Sequence, residues 1–205
     1  MAELVMPMFP LGSTVFPGQL VPLHVFEERY RALIEHVTSD GTDPVFGTVL
    51  IDRGHEVGGG DHRVSVGCTL RVMESQRFDD GRWAVATVGE ERIEVVEWLG
   101  EEPYPEAMVR PIVREDTGGS LDGVQSLLDD LMAIAVERSG QEVPDEWGFS
   151  NDPSTKLDQM AALAPIATID RQRVLEARNT ADQIVRLEKG LTDRLELLRL
   201  DLGQS

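Results

Sequence analysis

Apolar residues change their spacing along this chain, and the change divides it in two. Up to about Arg114 they come in short, β-branched runs punctuated by Pro and Gly; after Gly118-Gly119 they recur in helical periods. In the first part, Gln19 to His24 and Pro44 to Ile51 are apolar runs of strand length flanked by turn residues, which predicts two buried strands. Between them Phe26, Tyr30, Leu33, Ile34 and Val37 fall on one face at helical spacing, with Glu27, Glu28, Arg29, Arg31 and Glu35 mostly on the other. This predicts an amphipathic helix. Thr69 to Phe78 and Arg82 to Val88 flank Asp79-Asp80-Gly81, where Asp-Gly supplies the positive φ angles of a tight hairpin, so the two runs are expected to pair antiparallel. Gly89-Glu90 then separates a further run, Arg92 to Trp98, and another follows from Glu106 to Val113 after Tyr104-Pro105. About six short strands and one early helix predict a strongly bent antiparallel sheet closing toward a barrel.

The second part reads as four helices. Ser120 is a plausible cap before a stripe of Leu121, Val124, Leu127, Leu128, Leu131, Ile134 and Ala135, with Gly140 as the stop. Gln141 to Asn151 reads as a loop. Asp152-Pro153 then sets a cap and a first-turn proline ahead of Leu157, Met160 and Ala161, and Pro165 ends that helix. A short helix from about Asp170 to Arg178 leads to Thr180 and Gln183, a capping-box pattern opening the last helix. Its stripe runs Ile184, Leu187, Leu191, Leu195, Leu198, Leu202, with Gly203 closing it and Leu197 and Leu200 widening it. The expected organisation is a β-domain over residues 1–117 and a helical bundle over 118–205 packed on it, an α+β fold.

Charge narrows the partners. Nineteen Lys and Arg against 37 Asp and Glu give a formal net charge of -18, which repels phosphate backbones and anionic lipid, so neither nucleic acid nor a membrane is an expected partner. No run approaches the roughly 18 apolar residues of a membrane span. The single cysteine, Cys68, allows no intrachain disulfide, and the first residues lack the basic and apolar regions of a signal peptide, so a cytoplasmic location is expected.

Catalytic chemistry finds little to work with. There is no G-x-x-x-x-G-K-[ST] loop and no G-x-G-x-x-G after a strand; Gly58-Gly59-Gly60 precedes Asp61-His62-Arg63 rather than a helix and reads as a loop tip. His24, His36, His55 and His62 never reach metal-ligand spacing, so no metal or other cofactor is expected. There is no G-x-S-x-G elbow, and Cys68 at the head of a strand resembles a small buried hydrophobe. The pairs Glu27-Glu28, Glu90-Glu91 and Asp129-Asp130 diverge on a helix or strand and cannot converge on one bond.

The N-terminal segment is more informative. Met8-Phe9-Pro10-Leu11 and Val15-Phe16-Pro17-Gly18 hold two Phe-Pro pairs, whose prolines pre-set extended or turned backbone. Two readings stand: both rings fill the core, or part of the segment lines an apolar groove for an extended peptide. Phe9, Phe16, Pro17 and Phe26 are the candidate binding residues of the second reading. Phe9-Pro10-Leu11, Val15-Phe16-Pro17-Gly18, Val21-Pro22-Leu23, Phe26-Glu27 and Arg29-Tyr30, in that order and spacing, resemble the opening of the N-terminal domain of the Lon proteases. Val45-Phe46-Gly47, Gly67-Cys68-Thr69-Leu70, Gly89-x-x-Arg92-Ile93, Tyr104-Pro105-x-Ala107 and, in the helical part, Leu191 to Leu195 extend the resemblance over nearly the whole chain. It implies a PUA-like β-domain followed by a helical bundle, used to engage unfolded or extended polypeptide and to help assemble the full protease. Both Walker motifs and the Ser-Lys protease domain are missing, so peptidase activity does not carry over. The expectation is a non-catalytic recognition or adaptor module working with a protease or chaperone; a small-ligand sensor and an enzyme of unrecognised type are the alternatives.

Overall fold

Short β-branched runs bury their surface only by pairing, and in the first unit, Met1–Val113, they do so around one long strand. The computed structural model describes residues 3–53, 62–139 and 148–203. The elements are β1 (Leu4–Pro7), β2 (Leu20–Val25), α1 (Glu28–Val37), β3 (Val45–Arg53), β4 (His62–Arg77), β5 (Trp83–Gly100) and β6 (Glu106–Pro111). The strand order is β1-β6-β5-β4-β3, with β2 paired to β5 beside the path, and every pairing is antiparallel. The early part of β5, Trp83 to Val88, lies between β4 and β2; its later part, from Ile93, is paired with β6.

The expected break at Gly89-Glu90 does not occur: β5 runs through it. A Cβ on Gly89 would lie 2.3 Å from the Phe16 carbonyl oxygen, so only glycine admits the neighbouring backbone there. Gly18 N donates to Gly89 O at 2.8 Å and Gly89 N to Gln19 O at 2.9 Å. On the other edge the register shifts between Cys68↔Arg92 and Leu70↔Gly89, and the Thr69 hydroxyl accepts from Glu91 N at 3.0 Å. The glycine therefore marks a bulge that bends the strand rather than ending it.

The hairpin forms where expected, by a different turn. Phe78 N donates to Arg82 O and Gly81 N to Phe78 O; Gly81 has φ +80° and no described non-glycine residue has positive φ, so the loop is three residues closed by a glycine bulge instead of a two-residue Asp-Gly turn. The helix also starts later than its pattern suggests. β2 continues to Val25, which leaves Phe26 in the connection, 54% exposed, while Tyr30, Leu33, Ile34 and Val37 of α1 are buried. β1 carries no alternating signal, with Leu4 and Val5 exposed, and is a strand only through its pairing with β6.

Beyond β1 the chain crosses to the opposite end of the strand order. Phe9 N donates to Gly47 O at 2.7 Å, Leu11 N to Val49 O at 3.0 Å, and Ile51 N to Leu11 O at 2.8 Å. These isolated parallel bridges link the two ends of an otherwise open path. One core cluster gathers Phe9, Phe46, Leu70 and the buried face of α1; a second gathers Met6, Met8, Val49, Ile93, Ala107 and Val109.

The second unit, Arg114–Ser205, contains α2 (Asp122–Ser139), α3 (Pro153–Leu163), α4 (Thr168–Leu175) and α5 (Thr180–Gly203). With α1 the chain has five described helices beside the antiparallel sheet, an α+β fold. Ser120 Oγ accepts from Asp122 N at 3.1 Å, and Asp152 accepts from Thr155 N at 2.8 Å, as their cap positions predict. That Thr155 amide holds the Asp152 carboxyl below the usual carboxylate range. Gly140, most of the loop after it, and the glycine loop with His55 lie outside the described residues. Val124, Leu128 and Leu131 of α2 are buried, as are Leu157, Met160 and Ala161 of α3, whereas Ala135 is exposed. On α5, Ile184, Leu187, Leu191, Leu195 and Leu198 form the buried stripe. α4 ends at Leu175, short of the expected Arg178.

Thr180 and Gln183 are not a capping box. Asn179 Oδ1 accepts from Asp182 N at 2.8 Å and is the cap, while Thr180 donates its hydroxyl to Glu115 O at 3.1 Å. Gln183 is drawn into a buried network: its Nε2 donates to Asp158 Oδ1 at 2.8 Å and its oxygen accepts from Arg114 Nη1. Arg114 Nη1 also reaches Asp158 Oδ1 at 2.9 Å, and Nη2 reaches Ser154 O at 3.1 Å, with the two charged side chains 5% and 6% exposed. These bonds, with Ala181 N to Thr117 Oγ1, place the segment from Arg114 to Thr117 with the helices.

Two stability measurements follow from this packing. Arg114→Met leaves the Asp158 carboxylate buried without its cation and is expected to cost about 3–5 kcal/mol in denaturant unfolding, with most of the loss recovered in Arg114→Met/Asp158→Leu. Thr48 is buried and its hydroxyl has no hydrogen-bond partner among the described residues. Thr48→Val is therefore expected to leave stability unchanged or raise it by up to about 1 kcal/mol, and a loss above that size contradicts the assignment.

Candidate functional site

Where β2 ends and α1 begins, the chain turns through Phe26-Glu27, and a cavity of about 290 Å³ opens beside that turn. Val21, Pro22, Leu23, His24 and Val25 supply one wall; Phe9, Leu11 and Ser13 face them, and Phe26, Glu27 and Tyr30 complete the lining. The floor is rigid because its rings are packed. Phe9 stacks on Tyr30 with centroids 3.9 Å apart and planes 11° from parallel, and Phe46 supports it from 6.1 Å. The Arg29 guanidinium lies over the Tyr30 ring at 4.4 Å and pairs with Glu27 at 3.2 Å.

Two further hollows meet this one. Phe26 also borders a space of about 220 Å³ lined by His24, Val25, Phe78, Arg82 and Trp83. Glu27 borders another with Glu28, Arg29, Ala32, Glu102 and Pro103. An exposed phenylalanine thus borders two hollows of mixed polar and apolar lining, with carboxylates on one flank. This arrangement suits the desolvation of bulky side chains and offers no paired nucleophile and base.

Of the four residues singled out in the sequence, Phe9 and Phe26 line the cavity and Phe16 and Pro17 do not. Phe16 is fully buried, its carbonyl beside Gly89, so it is a core residue that no ligand reaches in the folded state. Pro17 is half-buried in the same turn. Leu11, Val21, Val25 and Tyr30 are lining residues that the sequence did not single out; the alternation of Phe9, Leu11 and Ser13 was the signal available for part of the lining. Cys68 is buried and in no disulfide. No cluster of His, Cys, Asp or Glu able to hold a metal occurs among the described residues, and no described helix is long and apolar enough to cross a membrane.

The family model of the ATP-dependent protease La (LON) substrate-binding domain matches residues 5–193. Among similar proteins, Lon protease 2 of Herpetosiphon aurantiacus is 28% identical over 209 residues, covering 97% of this chain and 25% of the relative. The Lon protease of Dictyoglomus thermophilum is 26% identical over 201 residues, covering 96% and 25%. The chain therefore spans about a quarter of the length of the Lon proteases it matches. Two solved structures share the fold over 92% of this chain and 98% of theirs, each with a TM-score of 0.61. They are a Lon N-terminal domain protein from Xanthomonas campestris, 22% identical, and the N-terminal domain of Mycobacterium avium complex Lon protease, 19% identical. With a family model that matches it from residue 5 to residue 193, the chain belongs to the LON substrate-binding domain family.

Proposed function

We propose that this chain is a non-catalytic polypeptide-recognition module of the cytoplasm, which holds apolar side chains of unfolded or extended protein and presents them to a protease or chaperone. The observation that carries the reading is Phe26: a large aromatic ring, 54% exposed, at the rim of a cavity whose lining also includes Phe9, Leu11, Val21 and Val25. Solvent-exposed aromatics beside an apolar hollow are the usual anchors of protein recognition. The family supports it, since its model is that of a substrate-binding domain. The β-unit is read as a PUA-like barrel, because the Met8-to-Leu11 segment ties the two ends of the strand path together. On the same reading it is the LON-type domain and the helices of the second unit are a bundle.

Exposed Phe26 and buried Phe16 have opposite expected behaviour. Phe26→Ala keeps the unfolding midpoint of the parent and weakens binding of a reduced, alkylated, permanently unfolded protein about tenfold by fluorescence anisotropy, near 1.4 kcal/mol. Phe16→Ala costs about 3–5 kcal/mol of stability instead. Equal binding of folded and unfolded proteins, or unchanged binding by Phe26→Ala, overturns the proposal.

A further inference from the structure

We infer that the occupant of this site is an extended polypeptide added as a strand along the free edge of β2, with apolar side chains at alternate positions and lysine or arginine at its ends. The inference rests on the polypeptide-recognition reading and specifies how the backbone is held.

Among the described residues β2 pairs only with β5, so one of its edges carries no ladder. The cavity is lined both by this strand, over Val21 to Val25, and by Phe9, Leu11 and Ser13. The backbone of Phe9 and Leu11 is already bonded to β3. Hydrogen-bonded neighbours thus run from the Phe9-to-Leu11 segment through β3, β4 and β5 to β2, and the cavity occupies the one interval in this series where no ladder forms.

Pro22 fixes which groups that edge offers. The register from Leu20↔Val88 to Val25↔Trp83 is unbroken across Pro22, so its nitrogen, which cannot donate, points away from β5. Antiparallel strands alternate, and Leu20 and His24 therefore share the phase of Pro22 and turn their N–H and C=O groups outward. The edge presents donors at Leu20 and His24, acceptors at all three positions, and a proline between the donors that discourages pairing of one copy with another. A strand laid here directs alternate side chains toward Phe9 and Leu11. Charge sets its ends. The chain carries -18 overall, and Glu27 joins this cavity to the hollow of Glu28 and Glu102, where Arg29 is the one cation among the lining residues.

The test uses a fluorescein-labelled peptide of alternating leucine and serine flanked by lysines, titrated into the intact chain by anisotropy. Backbone N-methylation of one alternate set of residues is expected to weaken binding at least tenfold, and methylation of the other set less than threefold, because only one edge of an added strand faces β2. Exchanging the flanking lysines for glutamates is expected to weaken it at least tenfold at low salt. Equal binding by both methylated peptides and the parent, with binding still lost in Phe26→Ala, overturns strand addition and leaves the recognition site standing. Equal binding by the glutamate peptide overturns the basic-end preference. No binding of the parent peptide together with none of the unfolded protein overturns both readings.

Discussion

The architecture of the β-unit depends on the contact between Gly89 and the Phe16 carbonyl. Because Gly89 has no Cβ, the Phe16-to-Gln19 turn packs directly on β5 and exchanges hydrogen bonds with it. The strand bends there without ending, and one continuous element serves β2 before the bend and β6 after it. A side chain at position 89 would push the turn away. β2 would then lose its anchor, and with it the edge and the Phe26 rim that define the cavity.

The two units are held together internally by different physics. The β-unit combines hairpin pairing of the consecutive strands β3 to β6 with contacts far apart in the chain: β1 meets β6, β2 meets β5, and the Met8-to-Leu11 segment meets β3. In the helical unit most structure is local, with caps at Ser120, Asp152 and Asn179 and leucine stripes at helical spacing. The exception there is the Arg114, Asp158 and Gln183 network. It replaces apolar packing with a buried, hydrogen-bonded ion pair that links α3, α5 and the segment beginning at Arg114.

On the proposed reading, a recognition site for many sequences needs a firm floor and permissive contacts above it. Phe9 stacks on Tyr30 with Phe46 tilted against it, while Phe26 is exposed and one edge of β2 carries no ladder among the described residues. Backbone groups and apolar surface are common to every polypeptide, so a site of the proposed kind would select for extension and side-chain size ahead of sequence.

The sequence by itself determined the class of the fold, the α1 stripe from Tyr30 to Val37, the Gly81 hairpin, two of the caps in the helical unit and the family to which the chain belongs. These are set by periodicity, capping chemistry and motif order, which act within a few residues. Only the tertiary structure decided that β5 passes through Gly89, that β1 is a strand, that Gln183 serves Arg114 rather than a cap, and that Phe26 is outside while Phe16 is inside. Each of these depends on a partner far along the chain. Two Phe residues that each follow a valine, Val15-Phe16 and Val25-Phe26, are both apolar positions in one dimension, and what separates them is their place relative to the long-range pairing of β2 with β5.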